Sequence, residues 1–410
     1  FSGSQLIDGL TYNPDGTLQS DTIQQNILPL SIDIYSARID YSQTIASSLK
    51  METGIKTSMV RTNNVSDFYN NSGTAWVPDF VLSNAFNYKE NINAAYLNLN
   101  KSYGKWMIQA GMRLENTNYD GLQSSLSQKE DSAFKKNYIS LFPSAFASYD
   151  ADENNRFGVS LSRRIDRPAF RDLNPFISFL DKYTYSTGNP FLQPQFSYNA
   201  ELSHTYKNKF TTTINYSITK GMINETLSQQ GNLIIRSIGN IGTRYNWGIS
   251  ENFTIPVTPW FTSSVFANLY QNKYNGMING FPFKANQLTL AFTVNNQLRF
   301  QNGWSAELSG SYTSRNRDEG QAIFSPAGQV AAGIAKSLLN NKASIKLNVR
   351  DIFYTQNPKE IQNFQNVQSS VRLSRDTRVI TIAFVWRFGM QAKSKTAAST
   401  TDEQKRVQLN

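Results

Sequence analysis

The chain has 410 residues, of which 39% are hydrophobic, 13% aromatic and 17% charged, with 40 basic against 30 acidic residues and no cysteine. That much aromatic surface excludes general disorder. The missing thiols exclude disulfide scaffolds and thiolate metal sites, and a single histidine, His204, excludes a histidine cage. No apolar run approaches the roughly 18 residues of a membrane-spanning helix, and a net charge of +10 does not by itself choose among anionic partners.

Residues 1–30, with an Asn-Pro-Asp-Gly turn at Asn13 to Gly16, read as an extracellular loop of a barrel, the strand that precedes the loop lying ahead of Phe1. From Ser31 onward the dominant pattern is alternation with period 2. Trp106, Ile108, Ala110, Met112 and Leu114 oppose Lys105, Gln109, Arg113 and Glu115, and Phe210 to Ile218 split in the same way. The clearest case is Gln287 to Phe300, where Leu288, Leu290, Phe292, Val294, Leu298 and Phe300 share one face and Thr289, Ala291, Thr293, Asn295, Gln297 and Arg299 the other. Ala343 to Arg350 and Ile380 to Phe388 close the series. Segments of about 10 to 16 residues are long for globular strands and fit tilted spans of a bilayer.

Connections alternate in length. Short ones stand near Ser102, Asp152, Lys207, Pro259, Asn302 and Asn340, and long ones are expected at Val65 to Ala85, Asp120 to Lys136, Asp166 to Pro194, Tyr274 to Phe283 and Asn357 to Asn363. Short turns on one side and long loops on the other are the organisation of an outer-membrane barrel. The expected fold class is therefore all-β, a transmembrane antiparallel barrel of the outer-membrane type. About fifteen strands are counted over residues 31–388, an odd number where bacterial barrels are even. Residues 389–410, without periodicity, read as a disordered periplasmic tail. A soluble sandwich alternates equally well. The polar faces here, however, are rich in Asn, Thr, Ser and Gln, as a watery lumen would be. Trp106, Trp260, Trp304, Trp386 and Phe388 also gather near the short turns, as an aromatic girdle would.

The stretch from Arg163 reads RRIDRPAFRDLNPF, followed by TGNPFLQP from Thr187. With YKENINAAYLNLNKSYGKW from Tyr88, LFPSAFASY from Leu141, NGWSAELSG from Asn302, KLNVRDIFY from Lys346 and FVWRFG from Phe384, it resembles the TonB-dependent receptor-like outer-membrane β-barrel family of Gram-negative bacteria, over nearly all of Ser31 to Phe388. The resemblance implies a barrel of 22 strands in the cell outer membrane, about seven of them upstream. It also implies import of a bulky nutrient, a metal chelate or an oligosaccharide. The implied partners are outer-membrane lipid, the protein's own plug domain, a periplasmic energy-transducing protein reached through the N-terminal region, and a surface lipoprotein. A barrel with a structural, adhesion or export-assembly role is the alternative. Neither enzyme, cofactor, metal nor nucleic acid is implied.

Within the Asp166 to Pro194 loop, four prolines hold a shape, and Phe170, Arg171, Phe176, Tyr183 and Tyr185 are candidates to contact a ligand. The same aromatics can instead cap the barrel mouth as a packed cluster. Lumen-facing Arg113, Arg164 and Arg299 are candidates to draw an anionic ligand inward, or to pair with acids such as Glu115 and Glu307. Ser203 and His204 point to opposite faces, which argues against a hydrolase. The DADENN run at Asp150 lacks the glycine and glutamate of a calcium loop and reads as a turn.

Overall fold

A computed structural model describes residues 2–125, 132–181, 183–318, 320–365, 367–372, 374–388 and 401–407. Strands β1 (Ser2–Tyr12), β2 (Leu18–Ala46), β3 (Leu49–Asn71), β4 (Trp76–Tyr103), β5 (Trp106–Ser125), β6 (Ser132–Asp150) and β7 (Asn155–Asp166) form an antiparallel meander. A loop then carries a 3-10 turn at Phe170–Leu173 and two short strands, β8 (Ile177–Asp181) and β9 (Thr184–Thr187). The meander resumes with β10 (Gln195–Tyr206) and β11 (Phe210–Lys220). A hairpin of β12 (Ile223–Gln230) and β13 (Leu233–Asn240) interrupts it before β14 (Gly242–Thr258), β15 (Phe261–Ile278), β16 (Phe281–Arg299) and β17 (Trp304–Thr313). Strand β18 (Ile323–Phe324) precedes β19 (Ala327–Leu338) and β20 (Ala343–Arg350). Hairpin β21 (Lys359–Phe364) and β22 (Val367–Arg372) precedes β23 (Val379–Trp386), and one turn of helix, α1, spans Asp402–Lys405.

Sixteen of these strands make one sheet in chain order, from β1 to β23, and fifteen of them start at β2 or later, the number counted from alternation. The short connections near Ser102, Asp152, Lys207, Pro259, Asn302 and Asn340 all fall on one side. Lys207 and Asn208 (φ 51° each) open one of them, the three-residue connection Lys207 to Lys209, in the left-handed conformation that a tight hairpin turn uses. The sheet curls, because one cluster of buried side chains draws on Val60 of β3, Phe86 and Tyr88 of β4, Tyr119 of β5, and Phe170, Leu173, Phe176 and Leu192 of the loop. Ile223 and Ile238 of the β12–β13 hairpin pack against the same cluster.

The burial pattern is inverted relative to a soluble protein. Among buried residues are Ser58, Thr62, Asn64, Glu90, Glu115, Thr117, Asn272 and Thr289, whereas Ile55, Met112, Leu161, Leu202, Ile214, Leu288, Leu290 and Phe292 are exposed. Alternate residues on the same strands thus place polar groups inside and oily groups outside, which suits a hydrocarbon surround and a wet lumen. At the short-turn end Trp106 packs on Tyr149 with ring centroids 4.6 Å apart, Trp260 on Phe300 at 6.2 Å and Phe210 on Phe253 at 5.7 Å, forming the girdle. His204 belongs to it, stacked on Phe157 at 4.6 Å with Nε2 3.0 Å from Asn155 Oδ1.

Three features differ from the sequence reading. Residues 1–30 are not irregular: β1 and the first part of β2 pair from Ser2↔Pro29 to Thr11↔Ser20, around the turn at Asn13 to Gly16. The expected loops at Val65 to Ala85 and Tyr274 to Phe283 are tall hairpins with tight turns, the second closed by Asn279 (φ 51°) and Gly280 (φ 84°). Part of the loop expected at Asp120 to Lys136 lies outside the described residues. Its flanks are strand, since β5 and β6 pair up to Gln123↔Ser132. Asn, Ser and Asp read as loop residues, but a ladder satisfies their backbone above the membrane as well as within it. The tail differs too: residues 389–400 and 408–410 lie outside the described residues, whereas Thr401 to Val407 is ordered and packed inside the curled sheet.

The assignment of faces is testable at β16. Leu290→Arg should cost about 2 to 4 kcal/mol because it buries a cation in lipid, whereas Thr293→Arg should cost far less. Thr289 is fully buried against the Arg315 carbonyl, so it does not serve as the mild control. Urea-unfolding midpoints of the refolded variants measure both, and equal losses at 290 and 293 would sink the assignment.

Candidate functional site in the lumen

The loop between β7 and β10 turns inward, and its two proline motifs explain how. In Leu173-Asn174-Pro175-Phe176 the leucine and phenylalanine are buried, and Asn174 Oδ1 accepts the Phe176 N–H at 3.2 Å. In Thr187-Gly188-Asn189-Pro190 the Thr187 hydroxyl donates to the Pro175 carbonyl at 2.9 Å. The Gly188 and Asn189 N–H groups donate to the carbonyls of Asn174 and Asp172 at 3.0 and 2.7 Å. A Cβ at Gly188 would stand 2.3 Å from the Asn174 oxygen, so glycine is required by contact. Strand β9 then pairs in parallel with β13, joining the two loops into one four-stranded sheet over the lumen.

Under this cover the charges are paired. Arg167 donates to Glu115 Oε2 at 2.6 Å and to the Thr117 hydroxyl at 3.0 Å, while Arg113 Nε donates to Glu115 Oε1 at 2.6 Å. On the adjoining wall Lys56 Nζ reaches both Glu403 carboxylate oxygens at 2.9 and 3.0 Å, and Arg406 pairs with Glu90. A second knot lies under β15 and β16, where Tyr270 and Asn272 donate to the Asp318 carboxylate at 2.8 to 3.0 Å. Burial pushes the Glu403 carboxyl up, but the Lys56 and Ser58 hydrogen bonds outweigh it and hold the group below its ordinary value. The stability from that pair is therefore present at neutral pH and lost only as pH falls through the lowered value. Burial raises the carboxyl of Asp172 on the loop, against the opposing pull of Arg171.

The candidate residues separate accordingly. Phe170 and Phe176 are core residues of the loop, with Phe170 packed on Tyr88 at 6.2 Å. Tyr185 packs at a tilt on Phe179 with ring centroids 6.2 Å apart, whereas Tyr183 is half exposed. Arg171 lies 3.5 Å from Asp172, and Arg113 is consumed by Glu115. Arg164 and Arg299 are exposed, with no carboxylate within 4.0 Å among the described residues, and Arg299 sits beside the short turn that joins β16 to β17. Sequence reasoning passed over Lys56, Glu90, Arg167, Glu403 and Arg406. The readable signal was Thr401 followed by Gln404, a helix-capping pattern in a segment taken as structureless.

Residues 2–386 match the outer membrane protein beta-barrel family. The chain belongs to that family. Membership places the protein in the cell outer membrane, and no helix among the described residues is long and apolar enough to cross a membrane. No curated protein matches the chain by sequence. Among solved structures it is similar in fold to the ferric yersiniabactin uptake receptor FyuA from Yersinia pestis, at 16% identity and TM-score 0.62, over 90% of this chain and 56% of that one. It is also similar to the copper transporter OprC, at 10% identity and TM-score 0.65, over 94% of this chain and 61% of that one. A third is the ferric-catecholate import receptor Fiu from K12 E. coli, at 10% identity and TM-score 0.57, over 93% and 59%. The chain thus spans about three fifths of these proteins.

For this family member, Glu115→Ala should leave the nearly buried Arg167 unpaired and cost about 3 to 5 kcal/mol. Limited proteolysis between Asp166 and Pro194 should accelerate. Unchanged proteolysis would show that the pair does not hold the loop.

Proposed function

We propose that this protein is an outer-membrane receptor of the TonB-dependent kind. It imports a bulky nutrient, a metal chelate or an oligosaccharide, with a plug domain and a periplasmic energy-transducing protein as partners. The observation that carries the reading is the inward-folded loop. A pore for small solutes gains nothing from a mouth narrowed by a locked, aromatic-rich cover, whereas a receptor needs a shaped surface above its lumen. Tyr183, Phe191 and Leu180 remain exposed on that cover, ready to lie against a flat chelate or a sugar ring. The likeness in fold to an uptake receptor, a copper transporter and an import receptor, FyuA, OprC and Fiu, supports the same reading.

Uptake of ferric chelates and of oligosaccharides by cells with and without the gene tests it. One class should enter only with the gene and only while the energy transducer is present. Unaltered uptake of both, together with a weakened envelope, would support a structural barrel instead. Tyr183→Ala and Phe191→Ala should each weaken ligand binding about tenfold, the loss of one aromatic stack, without changing heat-modifiable migration on gels. Phe170→Ala should instead destabilise the loop by about 3 to 5 kcal/mol.

A further inference from the structure

Thr401 to Val407 sits in the lumen as a ligand sits in a site. Its own conformation is fixed first: the Thr401 hydroxyl accepts the Gln404 N–H at 3.2 Å, and the Gln404 side chain accepts the Thr401 N–H at 2.8 Å, a reciprocal cap on the single turn. That turn has two faces. Asp402 and Lys405 point to water, their side chains 78% and 65% exposed, while Glu403 and Arg406 are 3% and 11% exposed. Glu403 receives Lys56 Nζ and the Ser58 hydroxyl, the latter at 2.9 Å. Arg406 pairs with Glu90, donates through Nε to the Pro168 carbonyl at 3.0 Å, and lies 4.2 Å over the Phe170 ring. The Phe170 N–H donates back to the Arg406 carbonyl at 3.4 Å, and Val407 packs on the aromatic cluster.

The wall is complementary to this segment and to nothing else among the described residues. Lys56 has no carboxylate within 4.0 Å other than Glu403 and Asp402, and Glu90 has no cation other than Arg406. Their strands set the spacing: Glu90 stands opposite Val60, four residues from Lys56, about 13 Å along β3. An extended Glu and an extended Arg one helical turn apart can bridge that span. The reach also closes, since thirteen Cα steps from Phe388 to Thr401 cover at most about 45 Å. Lys56 stands seven residues, about 23 Å, above the short-turn end of β3.

We propose that Lys56, Ser58, Glu90, Pro168 and Phe170 form a peptide-binding site in the lumen. It recognises an acidic and a basic side chain three residues apart, and the chain's own Thr401–Val407 is its resident occupant. The site depends on the barrel fold and not on import; the plug domain of the receptor reading would share this lumen, and cross-linking in intact membranes decides the site whichever way the uptake experiment falls. By holding Pro168 and Phe170, the resident segment also clamps the extracellular loop from a strand end that faces the periplasm.

Two measurements on the intact outer-membrane protein test this, with any cysteine outside these residues replaced by serine. Lys56→Cys paired with Glu403→Cys, and Ser58→Cys paired with Glu403→Cys, should cross-link on mild oxidation in isolated outer membranes. Thr57→Cys with Glu403→Cys should not, because Thr57 faces lipid. Equal cross-linking from 57, or none from either 56 or 58, overturns the site. In the second measurement a fluorescent peptide of the sequence Thr401 to Val407 is titrated onto purified protein. Glu403→Lys expels the resident segment and should raise peptide binding at least tenfold over the unaltered protein. Adding Lys56→Glu reinstates the resident pair with reversed charges and should return binding to the starting level. A peptide that binds all three proteins alike, or none of them, overturns it as well.

Discussion

Everything in this molecule follows from the need to pair backbone hydrogen bonds where no water can supply partners. In hydrocarbon an unpaired N–H or C=O costs several kcal/mol, so strands must be tied to neighbours along their whole spanning length. The meander meets that need in the simplest way, each inner strand of the sixteen-stranded sheet pairing with the sheet strands before and after it in chain order, while β1 and β23 stand at its two edges and pair on one side. Once the ladders exist they continue above the membrane: β2 has 29 residues and β4 has 28, where roughly 9 to 11 suffice to span.

Inverting the burial pattern creates a second constraint. A lumen walled by low-dielectric protein and lipid does not tolerate isolated charge, so each buried acid there meets a cation or a cluster of donors. Glu115 is held by Arg113 and Arg167, Glu90 by Arg406, Glu403 by Lys56, and Asp318 by Tyr270 and Asn272. All four of these acids are bound by residues that come from loops or the tail, or belong to those segments themselves. Charge compensation is thus also what draws the extra-membrane segments inward.

The proline-rich loop joins the two constraints. Its aromatic residues supply packing inside the lumen, and its Asn and Gly residues supply hydrogen bonds that replace a regular ladder. The motifs quoted for the family resemblance are therefore the ones that lock the cover, while Tyr183, between them, and Phe191, within the second, stay exposed on its surface.

Alternation along Gln287 to Phe300 and its counterparts was enough to determine strands, faces, girdle and the number of sheet strands after Ser31, because a period of 2 is a local property that each strand carries by itself. The turn at Asn13 to Gly16 was legible for the same reason. What only the tertiary structure decided is where segments without periodicity go: that Phe170 and Phe176 pack inward, that β12 and β13 complete the cover, and that Thr401 to Val407 returns to the lumen. Those placements rest on pairings between residues 50 to 350 positions apart, such as Arg167 with Glu115 and Lys56 with Glu403. Such a pairing leaves no local pattern, because either partner alone looks like an ordinary solvated charge until the curl of the sheet brings the other within reach.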